Sequence, residues 1–117
     1  MADADSNCLF CKVVRREIVA DEVLRDDHVV AFHDLHPQAP VHVLVVPTVH
    51  AAHLSAHAAL GTTEGSARLL SAAAEIGSRL GPDGYRVVIN EGAAAGQSVF
   101  HLHLHVLAGR TLGWPPG

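Results

Sequence analysis

The tightest constraint on this chain lies near its C-terminus, in Ser98-Val99-Phe100-His101-Leu102-His103-Leu104-His105-Val106-Leu107. Histidines alternate with apolar residues at a spacing of two. Neighbouring side chains of an extended strand point to opposite faces, so His101, His103 and His105 share one face and Leu102, Leu104 and Val106 the other. Same-face imidazoles then stand about 6.5 Å apart, at about 3.3 Å of rise per residue. A helix would splay them around its axis. The stretch reads as a half-buried strand carrying a row of imidazoles.

The rest of the chain supplies partners for that strand. Val23-Leu24-Arg25 and Val29-Val30-Ala31-Phe32 read as a hairpin around Asp26-Asp27-His28. The prolines of His36-Pro37-Gln38-Ala39-Pro40 enforce a loop, and Val41 to Val46 is a buried strand ended by Pro47. His42 is a polar interruption in it. A short helix is expected over Ser55 to Leu60. A longer one is expected over Thr63 to Leu80, where Leu69, Ala73, Ile76 and Leu80 repeat at the helix period. Thr62 or Thr63 would cap it, Glu64 suits its first turn, and Gly81-Pro82-Asp83-Gly84 ends it. Tyr85 to Asn90 is a further strand, joined to the histidine strand by the glycine loop 91–97. The expected class is α+β, an antiparallel sheet with helix on one face.

With 117 residues, 49% of them hydrophobic and 17% charged, the chain supports one globular domain with its own core. Residues 1–7 are polar and expected to fray, leaving 8–117 as the domain. A formal net charge of -4 gives no basic footprint, which argues against nucleic acid but leaves small anions open. No apolar run approaches the ~20 residues of a membrane-spanning helix. The acidic start Met1-Ala2-Asp3-Ala4-Asp5 is unlike a secretory signal, so the expected address is cytoplasmic.

Cys8 and Cys11 are the only cysteines. A disulfide framework would want more of them, and a redox pair would want a strand before the C-x-x-C, for which nothing upstream suffices. Half of a tetrahedral zinc site is left, lacking two ligands. The histidine row admits a metal-site reading of its own. It equally suits nucleophilic and acid–base chemistry, since imidazole titrates near neutral pH. The adjacent loop favours the second reading. Gly92 and Gly96 let backbone N–H groups approach an anion, while Asn90, Gln97 and Ser98 offer side-chain hydrogen bonds. His50, His53 and His57 could line one helix face, read as solvated; His28 and His36 read as surface residues.

His101-Leu102-His103-Leu104-His105-Val106-Leu107 resembles the signature of the histidine triad (HIT) family, and the flanks extend the likeness. Asn90-Glu91-Gly92, Gly96-Gln97-Ser98-Val99, Ala31-Phe32-His33-Asp34, Pro37-Gln38-Ala39-Pro40-Val41-His42 and Trp114-Pro115-Pro116-Gly117 are similar to the HINT branch. The resemblance runs from Cys8 to Gly117 and is weakest over 51–80. It implies the HIT fold: a sheet of about five antiparallel strands with one long and one short helix, extended across a homodimer. The implied activity is hydrolysis of purine nucleoside phosphoramidates and related nucleotide conjugates, with no catalytic cofactor.

By the resemblance His103 is the nucleophile and forms a nucleotidyl-histidine. His105 contacts phosphate and leaving group, His42 holds the cluster, and Ser98 with the N–H groups near 97–99 meets phosphoryl charge. The base of an AMP- or GMP-like ligand falls to Leu9, Phe10, Val13, Phe32 and Leu35. The ribose falls to Asp34 beside His33, and the phosphate to Asn90, Gly96, Gln97, Ser98 and Val99. Cys8, Cys11, His50 and His101 match the Cys₂His₂ structural zinc set of some members. Trp114 would reach a neighbouring subunit's site. The ending is that of relatives which often lack the cysteines, so two styles meet in one chain. A nucleotide-binding interaction module and a metal-dependent hydrolase are the rival readings. The dinucleoside polyphosphate hydrolases of the sister branch lack the Trp-Pro-Pro-Gly ending.

Overall fold

The structure, a computed structural model, describes residues 7–117. Apart from Asn7, the segment expected to fray therefore lies outside the described residues. The elements are α1 (Leu9–Val14), β1 (Glu22–Arg25), β2 (Val29–His33), β3 (Val41–Pro47), α2 (Leu54–Ala59), α3 (Thr63–Leu80), β4 (Tyr85–Ile89) and β5 (Leu104–Ala108). The strands form one sheet in the order β1-β2-β3-β5-β4, antiparallel throughout. The expected α+β class and five-stranded sheet are therefore present.

Strand alternation divides the core in two. Val29, Ala31, Val43, Val45, Leu104 and Val106 face α3, where Leu69, Ala72, Ala73 and Ile76 form the buried stripe. Val30, Phe32, Leu44 and Val46 point the other way and meet Phe10 and Val13 of α1. Helix α1 was not expected. Six residues show little periodicity, and its N-cap is a thiol, Cys8 Sγ, which accepts the Cys11 N–H at 3.3 Å. It covers the sheet face on which the histidines stand.

The histidine strand is shorter than the sequence suggests. Its ladder begins at Leu104, opposite Val45 and Ile89, and Ser98 to His103 precedes it. The partners run out there. β4 ends at Ile89, and Pro47 at the end of β3 has no N–H to give. Alternation nevertheless persists, since Leu102 joins Leu104 and Val106 in the core beneath α3.

Candidate active site and metal centre

Register brings the histidines together. His105 lies opposite Leu44 and His42 opposite Leu107, so His42 and His105 are diagonal neighbours on one face of β3–β5. Their hydrogen-bond partners assign the tautomers. The Gln38 N–H gives to His42 Nδ1 at 3.0 Å, which puts the His42 proton on Nε2. That atom lies 2.9 Å from His105 Nδ1, with Asp34 Oδ2 further off at 3.4 Å. His105 Nδ1 therefore accepts, and its proton sits on Nε2, buried and without a partner among the described residues.

His103 has the opposite assignment. Its Nδ1 donates to the His101 carbonyl at 2.8 Å, which leaves the lone pair on Nε2. The ring is buried between His105, at 4.8 Å between centroids, and Phe10, edge-on at 5.1 Å. Burial pushes His105 down to about 4, and the neighbouring His103 and His42 add to the effect. Burial also lowers His42, against the pull of Asp34. A lone pair on His103 Nε2 thus stands beside an N–H donor on His105, a ring whose burial disfavours its charged form.

His101 points elsewhere. Its Nε2–H gives to Pro47 O at 2.9 Å, so its Nδ1 lone pair faces Cys8 Sγ at 3.3 Å, Cys11 Sγ at 3.4 Å and His50 Nδ1 at 3.3 Å. Cys11 Sγ is 3.2 Å from His50 Nδ1. Tetrahedral zinc with bonds of about 2.0–2.3 Å separates such ligand atoms by about 3.3–3.6 Å. The four residues can hold a metal ion, and both donor type and tautomer fit. Asp34, His42 and His105 also cluster, but there the tautomers disagree with a metal: His42 Nε2 carries a proton where a ligand needs a lone pair.

The glycine loop closes the site. Gly92 and Gly96 have φ of 91° and 101°, a region open to glycine, and a 3₁₀ turn over Ala93–Ala95 lies between them. Gln97 corrects the sequence reading. Its amide was expected to face a ligand, yet it is buried and spent inside the fold. Oε1 accepts Gly92 N–H at 2.9 Å, while Nε2 gives to Ala52 O at 2.7 Å and Val99 O at 3.1 Å. Its backbone N–H is also committed, to Gly92 O. Ser98 is exposed and Asn90 half-buried. A cavity of about 330 Å³ separates Ser98, Val99 and Phe100 from Asn7, Cys8 and Leu9. A larger one, about 660 Å³, lies between the end of α3 and residues 109–112 and is lined by no histidine.

Of the expected base-slot residues, Phe10, Val13 and Phe32 are packed together, with Val99 against them. Leu9 is half out of the protein and Leu35 is 90% exposed. His33 is exposed and alternates with Phe32, which sets its side chain on the α3 side of the sheet, opposite to the face of Phe10, Val13 and Phe32. His57 overturns the solvated-face reading: it is 3% exposed, and His50 and His53 both precede α2. Sequence reasoning missed the Gln38 N–H, a backbone donor, and the bond of Glu91 to Ser55.

The comparisons with known proteins agree with this geometry. The HIT domain family model matches residues 15–112. The chain is 42% identical to the purine nucleoside phosphoramidase of Escherichia coli, over 90% of this chain and 89% of that one. It is 43% identical to a 14 kDa zinc-binding protein of Zea mays, over 97% and 90%. Among solved structures, a HIT family hydrolase from Legionella pneumophila superposes with a TM-score of 0.90 at 42% identity, covering 95% of this chain and all of that one. Sequence, topology and the arrangement of the imidazoles converge, and the chain belongs to the HIT family.

Proposed function

We propose that the protein is a nucleotide-binding hydrolase that cleaves the P–N bond of purine nucleoside phosphoramidates through a nucleotidyl-His103 intermediate. One observation carries the reading: the His101 carbonyl holds the His103 proton on Nδ1, which frees Nε2, while the neighbouring ring offers Nε2–H. In the first step His103 Nε2 attacks phosphorus and the P–N bond breaks. The amine departs beside His105 Nε2–H with a proton taken up from solvent. In the second step water attacks phosphorus, its proton returns to solvent, and His103 leaves as neutral imidazole. One proton enters and one leaves, so the nucleoside monophosphate forms with the books balanced.

The N–H groups of Ser98 and Val99, with the Ser98 hydroxyl, meet the phosphoryl oxygens. Phe10, Val13 and Phe32 flank the base, and Asp34 takes the ribose hydroxyls. Cys8, Cys11, His50 and His101 hold a structural zinc, whose contribution is to fix α1, and with it Phe10, against the segment carrying His103. The homodimer belongs to the same proposal. β4 is an outer strand with Tyr85 and Val87 each 37% exposed, and Trp114 is 82% exposed. A monomer in light scattering at micromolar concentration would remove it.

The test is turnover of adenosine 5′-phosphoramidate, with mass spectrometry of the acid-quenched chain. Wild type should release AMP and carry a nucleotidyl group on the peptide containing His103, and His103→Ala should do neither. Undiminished turnover by His103→Ala, or a label on another residue, would sink the mechanism.

A further inference from the structure

The segment between β3 and α3 serves as a strut for both halves of the site. Ala51 O accepts the Leu102 N–H at 2.7 Å, next to His103. Ala52 O takes the Gln97 amide from the far end of the glycine loop. Glu91 ties the near end: its Oε1 accepts the Ser55 N–H at 2.8 Å and the Ser55 hydroxyl at 2.7 Å. His53 Nδ1 stands 3.7 Å from the same oxygen but is occupied with the Ala56 N–H, so Ser55 is the partner that holds Glu91. Glu91 has no part in the proposed chemistry, and Ser55 lies outside the best-matching part of the family resemblance.

Two anchors do what one cannot. Gly92 and Gly96 both sit at positive φ and give the loop freedom to pivot. Gln97 closes the loop on Gly92 and ties it to the strut at Ala52, so with Gln97 alone the closed turn could still swing as a unit about that one tie. A second bond at Glu91, before Gly92, fixes the rotation. The carboxylate suits the task, being an acceptor facing two donors. These same bonds hold it below the usual carboxylate range.

We propose that Glu91 is a positioning residue: through Ser55 it fixes the loop 92–98 in the orientation that receives the phosphate beside His103. The inference rests on the phosphate-binding reading given above. Calorimetric titration of the full chain with AMP and with adenosine, which lacks the phosphate, separates the two. Wild type should prefer AMP. Glu91→Ala should lose about tenfold of that preference while adenosine affinity stays put. Glu91→Gln, which keeps an acceptor for Ser55, should retain most of it, and Ser55→Ala should fall between. An unchanged preference in Glu91→Ala, or equal weakening for both ligands, overturns the positioning role and leaves the phosphate-binding reading standing. A wild type that binds both ligands equally overturns both. Should Glu91→Ala not fold, the AMP preference of Ser55→Ala against wild type decides: a reduced one supports the role, an equal one overturns it.

Discussion

The proton arrangement around His42 can be tested by splitting its two bonds between two substitutions. His42→Asn places an amide oxygen near the original Nδ1 and keeps an acceptor for the Gln38 N–H, but gives His105 no donor. His42→Gln places an amide NH₂ near the original Nε2 and keeps the donor to His105, but orphans the Gln38 N–H. His42 is 5% exposed, so the orphaned N–H in the Gln variant costs about 1–3 kcal/mol of stability. Its kcat should stay within about threefold of wild type, because the His105 tautomer is still imposed. The Asn variant behaves inversely. A hydrogen bond worth about 1 kcal/mol holds the His105 tautomer, and its loss alone costs about twofold in the competent population. The ring also loses the contact that aims it, and misplacement of that kind raises the total to about 10–100-fold in kcat. Urea denaturation gives the stabilities, AMP release gives kcat, and ¹⁵N chemical shifts give the His105 tautomer directly. Equal kcat in the two variants, or a wild-type His105 protonated on Nδ1, would refute the assignment.

Acid should destabilise the fold in a defined window. The His105 value is depressed to about 4, so between that and the ordinary His value the unfolded chain binds a proton the folded chain refuses. Its stabilisation is complete above about pH 6.5 and lost toward pH 4, on the order of 3 kcal/mol at most, with His42 and His57 acting in the same direction. Thermal unfolding across that range should slope accordingly, and less steeply in His105→Gln. Zinc should bind at one ion per chain and raise Tm, and Cys11→Ser should abolish both effects; a wild type that binds no zinc in a chelator competition assay would contradict the ligand set. Gly109→Ala should cost about 1–3 kcal/mol in urea denaturation, because φ is +92° and a Cβ would come 2.8 Å from Pro40, whereas Gly113→Ala, in open space, should be neutral.

Legibility in the sequence followed the range of the interactions. β3 was readable because burial on both faces makes it a nearly continuous apolar run, and α3 because one stripe is buried, with the limits that its period and flanking turns predict. The two-residue alternation of the histidine run was readable too, down to Leu102 facing the core outside any ladder. Ladder limits were not, since they depend on where β4 and Pro47 stop. α1 was hidden because its cap is a sulfur atom and its burial depends on a sheet face far away in the chain. Gln97 was misread for a related reason. A polar residue in a glycine loop looks free until Ala52, brought by another segment, takes its amide. His57 looked solvated until its fold neighbours buried it.

Three imidazoles in one short run acquire three chemistries because each ring is used from a different end. His101 spends Nε2–H on Pro47 O and turns a lone pair to the cysteines. His103 spends Nδ1–H on the His101 carbonyl and keeps its lone pair on the other nitrogen. His105 accepts the His42 Nε2–H at its Nδ1 and so presents its own Nε2–H as a donor. Reversing any one tautomer would place a proton against a proton, or a lone pair against a carbonyl, in a buried environment where each mismatch costs about 1–3 kcal/mol. In the proposed function those costs divide the metal-ligand role from the nucleophilic one without any difference in residue type. The carbonyl of His101 links the two, since the residue whose ring faces Cys8, Cys11 and His50 is also the one whose backbone sets the His103 tautomer. Metal binding should therefore register in the ¹⁵N shifts of His103 as well as His101, and a His103 signal indifferent to zinc would break that link while leaving each site intact.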